Sequence, residues 1–368
     1  LGFKPNEGEY KVMGLAPFGD PSKYFNRLSK IFDKKRNLKI KQKFFTWEYS
    51  EHIMFDLEFC MLLGIPPRLK EEPITQDHKD LAAALQKIYE REFEKLVYKA
   101  KELTDSPNIC LGGGCAYNGV ANVLAYKHFK SVFIPFAPSD AGSAIGACLV
   151  NDPYSGYTVD NSNPYLGNGY TYNQIKNILI KYKDKVTAEY FDYDKLVVKT
   201  AEIINNQKIV AWFQGRMEFG ARALGNRSIL ASPRDASMRD KLNKVIKKRE
   251  GFRPFAPSVT VNQASKWFDL KQSVPYMNIV LQAKTNKFEA ATHIDGSCRV
   301  QTVDKYQNKL YYNLLKELGK ISGAEVVLNT SFNLKDQTIT RTPEQAVERF
   351  LDSDIDHLVI DKLILTKK

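Results

Sequence analysis

Residues 79–103 place Leu81, Leu85, Ile88, Leu96, Ala100 and Leu103 near helical spacing with Lys and Glu between them, which predicts an amphipathic helix packed on a core. Past that helix the period changes. "NICLGGG" reads as a short apolar strand running into a glycine turn, "CAYNGVANVLAYKHF" as a helix, "SVFIPFAP" as a second strand, and "SDAGSAIGACLV" as a helix of small residues. This is α/β alternation. Residues 151–171 lose apolar periodicity and gather Asn, Gly, Pro and Ser, so a linker and domain boundary are expected there. The second half predicts helices over 171–182 and 194–205 and then a buried strand, "KIVAWF". Later, "GAEVVLNTSFN" repeats the plan of strand and polar turn. "TPEQAVERF" opens a helix with Thr342 as N-cap, Pro343 at its first position and Gln345 set to close a capping box. The tail "HLVIDKLILTKK" reads as two strands around a tight turn, consistent with a mixed sheet.

With 368 residues the chain can bury two cores of ordinary size. Its 43% hydrophobic and 26% charged residues are those of a globular protein, and no stretch approaches the roughly eighteen uninterrupted apolar residues of a membrane span. The five cysteines are odd in number and form no CxxC pair, which argues against a disulfide framework or zinc ribbon and fits a reducing cytoplasm. A formal charge of +12 raises nucleic acid as a partner. Much of that charge is lysine scattered as in "KKRNLKIKQK", without a recognisable nucleic-acid-binding module, so a solvated basic surface is the better reading.

One stretch concentrates chemistry. "GRMEFGARALGNRSILASPRD", residues 215–235, carries Arg216, Arg222, Arg227 and Arg234 among Gly215, Gly220 and Gly225, directly after a predicted strand. Guanidinium forks suit phosphate or carboxylate oxygens, and glycines let backbone N–H groups approach an anion. Downstream, "IKKREGFRPFAPSV" adds Lys247, Arg249 and Arg253. Together these suggest a polyanion such as a nucleoside triphosphate. The alternative is that the arginines pair with Glu218, Asp235 and Asp240.

The segments "EFGARALGNRSIL", "REGFRPFAPSV", "HIDGSCRVQTV" and "VLNTSFN", with "GEYKVMGLAPFGDP", "TQDHKDLAAALQ", "CLGGGCAYNGVAN" and "PSDAGSAIGA" before them, resemble the O-carbamoyltransferases of the NodU/CmcH type over essentially the whole chain. The resemblance implies an α/β and α+β protein. The C-terminal part of an actin-like ATPase (ASKHA) domain would occupy 1–160, followed by a threonylcarbamoyl-AMP-synthase-like (YrdC-like) domain over 161–368. The second domain would form carbamoyl-adenylate from ATP and carbamoyl phosphate with Mg²⁺, and the first would pass the carbamoyl group to a hydroxyl of a sugar or other small metabolite. The family's KxR and SxN pairs fall on Lys247/Arg249 and Ser331/Asn333 as catalytic residues. Arg216, Arg222, Arg227 and Arg253, with His293, Asp295 and Arg299 of "HIDGSCR", would bind ATP and carbamoyl phosphate. Gly112, Gly113, Gly114 and Asn118 would hold the adenylate.

Asp140 falls where related domains place a carboxylate metal ligand, here for Fe²⁺ in the complete protein. The family's HxxxH-like segment has no counterpart among His52, His78, His128, His293 and His357, and His78 reads as a helix-start residue. The N-terminal half of the actin-like domain, where that segment belongs, is absent, and the chain opens at Leu1 rather than Met. If these 368 residues are the whole protein, the adenylate-forming step is expected to survive and hydroxyl transfer to be impaired; if they are part of a longer chain, both steps are expected. Gln337 and Arg341 stand in a segment that is usually more apolar. A tRNA threonylcarbamoyl-modifying enzyme and an inactive nucleotide-binding scaffold remain as alternatives. The resemblance brings a homodimer, and neither nucleic acid nor membrane, as expected partners.

Overall fold

The computed structural model describes residues 1–4, 8–32, 39–50, 54–151 and 162–368, with the side chain of residue 151 excepted. Part of the expected linker, residues 152–161, lies outside the described residues. The chain groups into two units, 1–109 with 120–132, and 110–119 with 133–368. Of the residues assigned by sequence to the first domain, 110–119 and 133–151 thus group by contact with the second unit.

In the first unit the helix Gln76–Glu102 is capped by Thr75, whose N–H donates to His78 Nδ1 at 2.9 Å while His78 N–H meets the Thr75 side chain. His78 is the helix-start residue its position suggested. The buried stripe is not quite the expected one. Leu81, Ala84 and Ile88 pack with Tyr24, Leu28 and Leu63 from the helices Ser22–Ser29 and Leu57–Leu63, whereas Leu85, Leu96 and Leu103 are exposed. Positions 81, 84 and 88 share one face at the 3–4 spacing of a helix, and Leu85 lies on its flank.

Strand β1 is Asn108–Cys110 and β2 is Ser131–Phe133. The helix expected over 115–129 is broken into short turns, Gly114–Tyr117, Gly119–Asn122 and Val123–Lys127. The break sits at Asn118–Gly119, where a Cβ on Gly119 would lie 3.1 Å from Val280 Cγ2 and 3.3 Å from the Asn278 carbonyl. The helix Asp140–Asn151 follows as expected.

The rest of the second unit is built on a mixed sheet of β3 (Val186–Tyr190), β4 (Val210–Phe213), β5 (Arg227–Ala231), β6 (Ala256–Thr260), β9 (Gln301–Val303), β10 (Val326–Ser331), β11 (His357–Ile360) and β12 (Leu363–Lys367). A separate pair joins β7 (Val280–Gln282) to β8 (Ser297–Arg299). The strand order is β3-β12-β11-β4-β5-β10-β6-β9. Only β4/β11 and β6/β9 run parallel.

Both faces are covered, which is why the central strands read as continuous apolar runs. Val210, Trp212, Val327, Val359 and Ile364 point to the layer holding the helices Tyr193–Asn205 and Lys309–Ser322. Ala211, Phe213, Leu328, Leu358, Ile360, Leu363 and Leu365 point to the other layer, with Met238, Leu242, Ile246, Val347 and Phe350. Alternation with period two sorts these residues. The two ends of the sheet that matter next are the turn after β4 and the C-terminal end of β10. The register Phe213↔Arg227 and Ser331↔Ser228 brings them to the same edge.

Candidate active site

Between β4 and β5 the chain makes the arginine- and glycine-rich excursion, and it is folded rather than open. Glu218, 4% exposed, accepts through Oε1 from the N–H groups of Leu224, Asn226 and Arg227 at 2.7, 2.8 and 3.2 Å. Arg227 is fully buried and donates to the carbonyls of Gln214, Asn226, Asn168 and Gly215, with its guanidinium 3.6 Å from the centre of the Phe213 ring. Burial lowers its pKa to about 10. Arg216 donates to the carbonyls of Gly167 and Leu166, and Arg234 donates to Asn205. Arg216 and Arg227, expected to face ATP or carbamoyl phosphate, therefore spend these donors on main-chain carbonyls and shape the loop instead. Four carbonyl partners leave Arg227 little to offer a ligand.

The second basic segment leaves the helix Ala236–Lys241 through a π turn, Leu242–Ile246. Such turns displace the residues that follow them. Asn243, fully buried, organises what comes next: Oδ1 accepts from Arg249 Nε at 2.8 Å and Nδ2 donates to the Gly251 and Arg253 carbonyls. Lys248 takes φ +44°, a left-handed conformation that turns the chain sharply between Lys247 and Arg249.

Lys247 meets the end of β10. Its Nζ lies 2.5 Å from the Ser331 carbonyl, 3.4 Å from Ser331 Oγ, 3.0 Å from the Asn333 carbonyl and 2.7 Å from Asn333 Oδ1. Ser331 Oγ also donates to Asn333 Oδ1 at 2.7 Å. Burial, followed by the charges of Arg249, Arg253 and Arg349, holds the ammonium well below the ordinary lysine range, and the surrounding oxygens oppose that shift. Thus Lys247, Ser331 and Asn333, far apart in sequence, form one hydrogen-bonded set.

Ser331 and Asn333 line an open cleft of about 590 Å³ whose other walls are Met217, Gly220 and Ala221 from the excursion and Gln337, Thr338, Ile339, Arg341 and Gln345 from the segment after β10. Among the described residues no carboxylate lines it, and Arg341 is its one cation. Sequence assigned the polar residues of 337–345 no part in a ligand site, and gave Thr342 and Gln345 only a capping role. The departure at Gln337 and Arg341 was their signal. Gln345 does close a cap, but one residue earlier than a capping box requires: Thr342 Oγ1 accepts from Gln345 N–H, and Gln345 Oε1 accepts from the Arg341 N–H at 2.9 Å.

A second cationic group lies in the same unit. Arg299 has its pKa held well below the arginine range by burial and by the charges of Arg222, Arg249 and Arg253, and its Nε has no hydrogen-bond partner among the described residues. The Arg222 guanidinium sits 5.3 Å from the centre of the Tyr117 ring, beside the glycine turn. Arg253 pairs with Glu250 at 3.7 Å, so one of these arginines is partly neutralised.

His293 and Asp295 form the turn between β7 and β8: His293 N–H donates to the Ser297 carbonyl at 2.8 Å, and Asp295 Oδ1 accepts from Ser297 N–H at 3.0 Å. Asp295 is therefore a turn residue. Burial first, with Arg299 and Arg239 adding, lowers the His293 pKa to about 4 against Asp295. The imidazole is neutral near pH 7. Because the folded pKa lies below the unfolded value of 6.5, stability from this group is complete above pH 6.5 and is lost as pH falls toward 4. The His293 ring resonance should titrate near pH 4 by NMR; a midpoint near 6.5 would contradict this placement.

The glycine turn is exposed, and a Cβ on Gly112 or Gly114 would meet nothing within 4 Å. Gly113 takes φ +84° and donates its N–H to the Pro138 carbonyl at 2.7 Å. Asn118 follows, with its N–H donated to Cys115. Asp140 is exposed at the first turn of its helix. Among the described residues no group of three or more His, Cys, Asp or Glu could hold a metal, so these residues do not by themselves fit an iron centre. For Mg²⁺ the described lining of the cleft supplies hydroxyl and amide oxygens but no carboxylate. A magnesium ion there would be carried mainly by phosphate oxygens and water.

No helix among the described residues is long and apolar enough to cross a membrane. Residues 1–149 match the family described as carbamoyltransferase N-terminus, and residues 201–367 match carbamoyltransferase C-terminus. An uncharacterized protein of Synechocystis is 36% identical over 100% of this chain and 65% of its own length. The nodulation protein NolNO of Sinorhizobium fredii is 36% identical over 98% of this chain and 53% of its own length. The 3'-hydroxymethylcephem-O-carbamoyltransferase of Amycolatopsis lactamdurans is 31% identical over 88% of this chain and 58% of its own length. The chain thus spans less than two thirds of these relatives. Matched by both of the family's domains in their order, with its lysine, serine and asparagine gathered at one cleft, the chain belongs to the carbamoyltransferase family.

Proposed function

We propose that the protein activates a carbamoyl group with ATP for transfer to a hydroxyl of a sugar or another small metabolite. Carbamoyl phosphate would supply the carbamoyl group. Water cleaves its phosphate to leave carbamate, a carbamate oxygen attacks the α-phosphorus of ATP, and pyrophosphate departs, leaving carbamoyl-adenylate. The observation that carries this reading is the convergence of Lys247 on Ser331 and Asn333 at the floor of an acid-free cleft. An in-line displacement at phosphorus needs positioning and cationic compensation rather than a covalent nucleophile. Lys247 supplies charge, while Ser331 and Asn333 supply short hydrogen-bonding groups that orient a carbamate or phosphate oxygen.

The open space above Gly112 and Gly114 supports the glycine turn as a place where backbone approaches the adenylate. Arg222 and Arg299, on the same unit, would carry its phosphate. Two relatives are named 3'-hydroxymethylcephem-O-carbamoyltransferase, after a hydroxymethyl acceptor, which favours a small-molecule hydroxyl over tRNA. The protein mixed with ATP, carbamoyl phosphate and Mg²⁺ should release pyrophosphate and phosphate in equal amounts. Release that requires threonine and bicarbonate would turn the assignment to tRNA modification, and no release from folded protein would end it.

A further inference from the structure

Arg349 lies on the helix Pro343–Leu351, outside every motif that carries the family resemblance. It is 9% exposed, and its Nη1 donates to the Thr338 carbonyl at 2.9 Å and to Thr340 Oγ1 at 2.8 Å. Thr340, itself fully buried, returns the chain to the end of β10: its N–H and its hydroxyl donate to the Phe332 carbonyl at 2.8 and 2.6 Å. Phe332 in turn donates its N–H to Arg227 at 2.8 Å. At the near end of the same loop, Asn333 Nδ2 donates to the Gln337 carbonyl at 2.7 Å. The segment 333–340, which supplies Gln337, Thr338 and Ile339 to the cleft, is tied at both ends.

We propose that Arg349 is a positioning residue, bracing the 333–340 loop so that Ser331 and Asn333 present their oxygens to Lys247. Burying a guanidinium is costly, and an apolar side chain would fill the same space without that cost. What an apolar side chain could not do is hold a carbonyl and a hydroxyl of the loop at once, as the two N–H groups of Nη1 do here. Its charge also acts on Lys247, alongside Arg249 and Arg253, in lowering the ammonium's proton affinity. No acid is among the groups acting on Lys247. The inference that this geometry serves catalysis rests on the functional reading above, but the bracing itself does not.

The test separates the two. In Arg349→Met, hydrogen exchange at the Thr340 amide should accelerate at least about 10-fold, as a buried hydrogen bond worth about 1.4 kcal/mol or more is loosened. The Lys247 midpoint, followed through its side-chain carbon resonances, should rise toward 10.5. Arg349→Lys keeps a charge and donors and should restore a low midpoint and most of the protection. Thr340→Val, which deletes only the hydroxyl, should also speed exchange at that amide, and it answers the question if Arg349→Met fails to fold. Unchanged exchange and an unchanged Lys247 midpoint in a folded variant would overturn the proposal. Absence of pyrophosphate release in the unsubstituted protein would refute the catalytic reading while leaving these two measurements to judge the brace.

Discussion

Lys247→Ala is expected to lower carbamoyl-phosphate-dependent pyrophosphate release by roughly 100- to 1,000-fold while leaving the circular dichroism spectrum unchanged. The size follows from what is removed: a cation held within 3.0 Å of three oxygens contributed by Ser331 and Asn333, behind a cleft whose one cation among the described residues is Arg341. The fold should survive because the truncation also removes a buried positive charge from beside Arg249, Arg253 and Arg349, which offsets part of the hydrogen bonding lost. Lys247→Met keeps the aliphatic stem and separates charge from packing; it should be as inactive as the alanine variant. The pH profile gives a further handle. If the ammonium is the active form, kcat/KM falls as pH rises through a Lys247 midpoint that lies below 10.5. An active Lys247→Ala, or an alkaline limb no lower than that of an exposed lysine, would remove Lys247 from the mechanism.

The elements were legible where one physical signal dominated. Thr75, Thr171 and Thr342 stand at helix starts because their hydroxyls meet the orphan N–H groups of the first turn; Thr342 was read as a cap from residue order, whereas the helix after Thr75 begins three residues before its expected start. The apolar runs of β4, β10, β11 and β12 announced strands of a mixed sheet, which proves to be covered on both faces. Strands β5 and β6 were hidden. One is buried within the arginine-rich quotation as "RSILA" and the other as "APSVT", sequences whose Ser, Arg and Pro are tolerated only because partners across the ladder and the Ser258–Gln301–Asn329 network satisfy them.

The site divides similarly. Short motifs marked Lys247, Ser331 and Asn333, because the residues doing the contacting are the residues in the motif. Arginines were harder to sort, since type alone does not say where a guanidinium points. Arg227 turns inward onto four carbonyls, Arg216 onto two, and Arg341, which carried no expectation, lines the cleft. Glu218 was offered as an ion-pair partner of the arginines and Asn243 was not singled out, for a related reason: each acts on the backbone of its own segment, and such work has no signature in spacing.

The largest structural effect should come from Gly225→Ala. Gly225 takes φ +106°, and a Cβ there would lie 2.3 Å from Cδ1, 2.6 Å from Cε1 and 2.7 Å from Cγ of Tyr311. Tyr311 cannot yield, being fully buried among Leu314, Trp212 and Leu230. The backbone cannot yield either, since the Gly225 carbonyl accepts from Trp212 Nε1 at 2.8 Å and its N–H donates to Ser228 Oγ at 3.2 Å. Strain at the dihedral and overpacking against the ring together cost roughly 2–6 kcal/mol. For a unit of this size that is a fall in Tm on the order of 10 °C. The excursion is pinned at this point, so Glu218 and the cleft wall Met217–Ala221 should be displaced with it. Gly112→Ala supplies the contrast: its methyl enters open space, so stability should be nearly unchanged while adenylate formation falls if ligand backs onto that turn. Calorimetry on the two variants checks both statements, and a Gly225→Ala protein melting with the parent would show that the loop relaxes around Tyr311 in a way the observed packing does not allow.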